Sequence, residues 1–248
     1  MKLVITQRMD YAYDSPVRLS TQYLRLTPRD TARQKVTGWK LETPAQALRT
    51  TDGYGNVLHV LTLDKAVSEI SIEAAGTVET APALDEPSDF TGAPLSPLLF
   101  LRPTGLTRVD EPLGGFADRF RRAVAEHSGL RELAAAINDR HRGGSAADAV
   151  HAFIACCRHL GVPARYVSGY VYAKKKDNNG VAMHAWVEAW VVERWRSFDI
   201  AHDAPVGEAH IKIAVGGDYL DACPVRGVRV GGGAETLLAR AHVDAAQQ

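Results

Sequence analysis

From Lys2 to about Thr80 the chain alternates apolar and polar positions with a period of two, in the segments LVITQRM, TQYLRLT, KVTGWKL, VLHVLTL and VSEISIEA. Successive strand side chains point to opposite faces, so this pattern predicts strands with one face on a core. Asp52-Gly53-Tyr54-Gly55-Asn56 reads as a turn between two of them, and no segment keeps a helical period long enough to compete. Residues 1–85 are therefore expected to form an all-β sandwich or barrel-like domain. Pro82, Pro87, Pro94, Pro97 and Pro103 then interrupt any regular pattern, and a linker or covering loop is assigned to 86–110.

Beyond the prolines the period becomes helical. Phe116, Phe120 and Val124 mark one short helix, and Leu130, Leu133, Ala134 and Ile137 a second. A third is expected from Ala146 to Leu160. It opens on Ser145 with Asp148 three positions later, the form of a capping box, and stops at Gly161-Val162-Pro163. Strands follow at ARYVSGYVYA, MHAWVEAWVV and RWRSFDI, with further ones around HIKIAV and ETLLARAHV. Residues 111–248 thus read as an α+β domain, helices first and an antiparallel sheet after.

Charge removes several classes of partner. With 29 basic and 29 acidic side chains the formal net charge is zero, which gives no long-range attraction to nucleic acid or an anionic membrane. The basic run Lys174-Lys175-Lys176 leads into Asp177-Asn178-Asn179-Gly180 and reads as a solvated hairpin tip. MKLVITQRMDYAY carries Arg8 and Asp10 before any long apolar run, unlike a signal peptide. Cys156, Cys157 and Cys223 form an odd set without metal-like spacing, which fits a reducing compartment, so a cytoplasmic location is expected.

The chemistry concentrates in two strands. In MHAWVEAW the period of two puts His184, Trp186, Glu188 and Trp190 on one face, and Asp199 ends the following strand, SFDI. A short turn between antiparallel strands would bring Asp199 beside His184. Such a carboxylate fixes an imidazole tautomer in acyl-transfer enzymes, although a His and an Asp on adjacent strands are more often a structural pair. Trp186, Tyr170 and Glu188 are the candidate substrate contacts, with core packing weighed equally for the aromatics.

The run GGSAADAVH, followed by FIACCRHLGVPARYVSGYVY, HAWVEAWV and WRSFDI, resembles the bacterial transglutaminase-like family, which is grouped with the papain-like cysteine proteases. YDSPVRLSTQYLRLTPRD and DGYGN are similar to the β domain that precedes that family's core. The resemblance implies a papain-like transglutaminase core, with His184 as general base and Asp199 as its orienting partner. The family motif is of the type G-V-C-Q-D-F-A-H, so Ala146 takes the place of the nucleophilic cysteine. A methyl group cannot attack a carbonyl or carry an acyl group. Cys156 and Cys157 lie about 15 Å further along the same helix at roughly 1.5 Å per residue, out of reach. Ser145 is expected to spend its hydroxyl on the Asp148 amide. His151 matches the family's histidine in the helix; it and His159 do not by themselves make a metal site.

Two main readings follow. The first is a catalytically inactive pseudoenzyme whose cleft binds a peptide or protein. The second is an active thiol peptidase, amidase or transamidase in which a native cysteine has been replaced by Ala146. Ser145, Ala147 and Ala149 also depart from the motif, and Ile200-Ala201-His202 stands where the family has Pro-Thr-Asn, which favours natural loss. A third class, hydrolysis through Ser145, is the weakest. No metal and no cofactor is expected, and the expected partner is a peptide or protein rather than nucleic acid or membrane.

Overall fold

The computed structural model describes residues 1–82, 95–172 and 181–245. The lysine-rich tip expected at 174–180 and much of the proline-rich stretch lie outside these residues. The first sheet is built on one long strand, β1 (Lys2–Leu24), in which the two alternating segments LVITQRM and TQYLRLT are parts of a single element. β2 (Gln34–Glu42), β3 (Leu48–Thr51), β4 (Val57–Leu63) and β5 (Val67–Thr80) complete the path β2-β5-β1-β4-β3. The pairing of β1 shifts register near Val17, so its first half pairs with β5 and its second half with β4. A bulge of this kind bends a strand and tightens its twist.

Short 3-10 turns at Pro97–Leu101 and Gly105–Thr107 lead into the helices α1 (Glu111–Asp118), α2 (His127–Arg140) and α3 (Ala146–His159). Leu130, Leu133, Ala134 and Ile137 all lie on the buried stripe of α2. The first helix is shorter than its apolar spacing suggested: Phe120 and Val124 fall in turns beyond it. Gly161, at φ +83°, ends α3 in the left-handed region, where the Val162 amide returns to the Cys157 carbonyl at 2.8 Å.

The second sheet is antiparallel, in the order β8-β7-β6-β9: β6 (Ala164–Tyr172), β7 (Val181–Val191), β8 (Arg194–Phe198) and β9 (His210–Gly216). α3 packs on β6 and β7. A short helix, α4 (Tyr219–Ala222), precedes β10 (Val225–Gly231) and β11 (Glu235–Ala245), which return to the first sheet and pair with β1. ETLLARAHV therefore extends the amino-terminal sheet instead of the second one. β10 is half-exposed or exposed throughout, so its apolar pattern carries no signal for its partner. Strand predominates in the whole, so the α+β expectation holds only in part: helices are few, with α3 and α2 against the second sheet and α1 against α3.

The two sheets are joined by side-chain amides. β9 is the edge strand of its sheet, and an edge leaves a row of backbone groups unpaired. Gln34 accepts from the Lys212 amide at 2.8 Å and donates to its carbonyl at 2.7 Å. Asn56 does the same at Val215, at 2.8 and 2.7 Å. Asp52 holds the DGYGN turn by accepting from the Tyr54 and Asn56 amides at 2.9 and 3.0 Å, and it is paired with Arg25 at 2.7 Å. The turn motif thus serves to aim Asn56 at the second sheet. One apolar core runs across the junction, with Leu3, Ile5 and Val78 packed in the same cluster as Phe153 and Ile211.

Candidate active site

His184 lies on β7 opposite Gly169 of β6. That glycine is required by the close packing behind the histidine: a Cβ there would sit 2.1 Å from the Ile211 carbonyl oxygen and 2.5 Å from the Trp186 ring. The His184 Nε2 atom is 2.8 Å from Oδ2 of Asp199, which stands just past the end of β8. With Nε2 committed to the carboxylate, Nδ1 is the ring atom available for proton transfer to a substrate.

Asp199 is almost fully buried and holds more than His184. Its Oδ2 also meets His202 Nδ1 at 2.9 Å and His210 Nε2 at 3.2 Å, while Oδ1 accepts from the His202 amide at 3.2 Å. Burial pushes this carboxyl up, but the bonds from His184 and His210, the charge of His184 and the bond from His202 outweigh it, so it lies well below the usual carboxylate range. His210 accepts the Gly207 amide on Nδ1 at 3.2 Å, which leaves Nε2 protonated and donating to Asp199.

His184 lines a cavity of about 400 Å³ with Ala147, Met9, Tyr11, Tyr219 and Cys223. Ala147 belongs to the first turn of α3, the helix that Ala146 opens. The start of α3 and the imidazole therefore face a common space, walled on its far side by β1. Unpaired amides at a helix start favour negative charge there.

Ser145 caps α3 differently from the expectation. The Asp148 and Ala149 amides bond to its backbone carbonyl at 3.1 and 3.3 Å, and its hydroxyl makes no capping bond. The backbone has taken the role assigned to the side chain. Ser145 is exposed, and it is not among the cavity's lining residues.

Residues 3–79 match the bacterial transglutaminase-like N-terminal region, and residues 118–200 match the transglutaminase-like superfamily. The second of these segments is a transglutaminase-like core and the first the N-terminal region that accompanies it. An uncharacterized protein of Mycobacterium leprae is 28% identical over 268 residues, covering 95% of this chain and 96% of that one. An uncharacterized protein of Mycobacterium tuberculosis is 28% identical over 272 residues, covering 90% and 86%. A crystal structure described as a "Putative Cysteine Protease" from Cytophaga hutchinsonii shares the fold, with a TM-score of 0.68, 20% identity and coverage of 100% of this chain and 91% of that one.

Within this transglutaminase-like chain the three expected substrate contacts are withdrawn from the cavity. Trp186 and Tyr170 are fully buried, and the Tyr170 hydroxyl donates to Gln7 of β1. Glu188, also fully buried, accepts from Arg165 Nε at 2.8 Å and is paired with Lys212. Arg165 in turn stacks on Trp195 at 3.9 Å. A period of two assigns Trp186 and Glu188 to the His184 face of β7, but that face is covered beyond His184. Besides Ala147 and residues of β6 and β7, the cavity is lined by β1, β10, β11 and the α4 region, whose approach the strand pattern did not signal.

The remaining transglutaminase-like motif residues have structural partners. His151 stacks on Tyr166, with ring centroids 5.3 Å apart, and its Nε2 accepts the Tyr219 amide at 3.2 Å. Desolvation lowers its pKa. His159 pairs with Asp118 at 3.0 Å, away from His151. Cys156 and Cys157 are buried, and burial pushes the Cys156 thiol up to about 12 and Cys157 well above its ordinary value. No described helix is long and apolar enough to cross a membrane.

Proposed function

We propose that this protein is a transglutaminase-like pseudoenzyme: its cleft binds a peptide or protein segment without covalent acyl transfer. The observation that carries the reading is alanine at position 146, the first residue of the helix whose opening turn shares a cavity with His184. The family's chemistry needs a thiol there, since a thiolate at a helix start is the nucleophile that a neighbouring imidazole activates. The buried thiols of Cys156 and Cys157 are held protonated by desolvation, which supports the same conclusion. Cys223 does line the cavity, but its Sγ is directed to the Val225 carbonyl at 3.0 Å. A largely apolar lining with a few polar groups is suited to holding a side chain of an extended ligand. The free thiols fit a cytoplasmic setting.

The active-enzyme reading draws on the intact His184 and Asp199 pair and predicts cysteine at this position in the native gene. Reading codon 146 in the source genome separates the two: alanine there keeps the pseudoenzyme reading, and cysteine overturns it. A second experiment tests the binding role. The unmodified chain is incubated with a degenerate peptide library, and retained and released peptides are analysed by mass spectrometry. The pseudoenzyme retains a subset of uncleaved peptides and gains no acyl adduct. Cleavage or transamidation lost in His184→Ala would overturn the proposal, and so would failure to retain any peptide.

A further inference from the structure

We propose that His184, Asp199 and His202 bind one divalent cation of the Zn²⁺ class, with His210 as the outer partner that holds the carboxylate. The inference is independent of the peptide-binding reading and concerns the opposite side of the His184 ring.

A structural His-Asp pair needs one imidazole, and here three are directed at a single oxygen. His184, His202 and His210 stand 2.8, 2.9 and 3.2 Å from Asp199 Oδ2, while the second carboxylate oxygen is taken by the His202 amide at 3.2 Å. His210 is assigned by its own bonding. Its Nδ1 accepts from Gly207 at 3.2 Å, so its Nε2 donates a proton to the carboxylate. That is the arrangement by which an outer hydrogen bond orients a metal-binding carboxylate.

The other two rings present His184 Nε2 and His202 Nδ1. These atoms and the Asp199 carboxylate lie within 4.8 Å of one another, and the two rings stack with centroids 4.6 Å apart. A tetrahedral ion bound at roughly 2.0–2.2 Å spaces neighbouring donor atoms at about 3.3 Å. The present N to O contacts would need to open by only about half an ångström, which small side-chain rotations supply. Two imidazoles and one carboxylate favour Zn²⁺, Co²⁺ or Ni²⁺ over Ca²⁺ and Mg²⁺, which select all-oxygen sites.

The scaffold fixes this geometry and leaves it reachable. His184 is on β7, Asp199 follows β8, and His202 sits in the turn closed by the Asp199–Ala204 bridge. The His202 side chain is 57% exposed, so an ion enters from its side and keeps a further coordination position toward solvent. A bound ion would occupy His184 Nε2, the atom that otherwise bonds Asp199, so metal binding and the acyl-transfer role of His184 exclude each other. The sequence held no spacing signal, because the two ligating histidines lie in different elements and only the turn after Asp199 unites them.

The test uses the full chain stripped with chelator and titrated with Zn²⁺ against a chromophoric competitor. A parallel titration with Co²⁺ is followed by its visible ligand-field band. One equivalent of each is expected, with a four-coordinate Co²⁺ spectrum. His202→Ala, an exposed change that leaves the buried Asp199 bonds to His184 and His210 in place, should weaken Zn²⁺ binding at least a hundredfold and abolish the band. His210→Gln should weaken it about 10–100-fold, the range for an outer partner. Absence of a stoichiometric equivalent, or one that survives His202→Ala unchanged, overturns the proposal. Peptide retention is measured separately on metal-free protein, so either idea can fail alone.

Discussion

His184 Nε2 and Asp199 Oδ2 meet at 2.8 Å across fifteen residues of sequence, and the same oxygen is shared with two further histidines. The carboxylate is therefore the hub of the site, while the histidines around it differ widely in exposure.

That asymmetry predicts unequal costs. Asp199→Ala leaves three imidazoles around an empty buried position and should destabilise the metal-free protein by about 3 kcal/mol, the scale for breaking a buried charged partnership. His202→Ala, whose side chain is 57% exposed, should cost under about 1 kcal/mol. Urea unfolding at neutral pH compares them; equal losses would remove Asp199 from its central place.

How much of this arrangement could be read in advance depends on what each signal encodes. Ser145, the apolar stripe of α3 and Gly161 are local, and they located that helix to within a residue at its end. The period of two put His184 and Asp199 on consecutive strands, and the hairpin then dictated their approach. Other facts are matters of partnership between distant segments. β10 and β11 pair with β1, and Gln7, Met9 and Tyr11 reach the site, although nothing in VRGVRVG or LVITQRM specifies a partner. Glu188 differs for a related reason: its place on the His184 face made it a candidate contact or a solvated group, whereas it is buried and paired with Arg165 and Lys212.

The charged cluster at Glu188 should respond strongly to loss of its centre. Glu188→Ala takes the carboxylate away from the buried Arg165 guanidinium and Lys212 ammonium, for an expected loss of about 3 kcal/mol. Glu188→Gln, keeping the shape and one acceptor, should cost less. The same unfolding measurement, with near-ultraviolet circular dichroism reporting on Trp195, checks the order of the two variants. A loss below about 1 kcal/mol for alanine would mean that the cations find other partners.

Asn56 and Gln34 make the second sheet's edge strand part of the first sheet's structure. Asn56→Ala removes a donor and an acceptor from Val215, leaving both backbone groups of that residue unpaired, and should cost about 2–3 kcal/mol. Hydrogen exchange gives the sharper readout. Amide protection at Val215 should fall while that at Val167, paired with Trp186 in the β6–β7 ladder, stays close to its original level. Unchanged protection at Val215 would show that the edge is covered by something other than the Asn56 amide.

His151 provides a pH dependence with a definite sign. Desolvation lowers its folded-state pKa, and its Nε2 accepts the Tyr219 amide only when unprotonated. The unfolded chain, with an ordinary histidine value of about 6.5, takes up its proton first as pH falls. Stability is therefore full above that value, declines as pH drops toward the lower folded value, and levels off below it. His151→Gln keeps an acceptor near Tyr219 but does not titrate, so its loss of stability between about pH 8 and pH 5 should be smaller than that of the unmodified protein. Thermal unfolding of both chains across that range tests the difference, which compares like with like because His59 and His127, also lowered by burial, are present in each. Parallel curves would show that His151 keeps its proton equilibrium on folding.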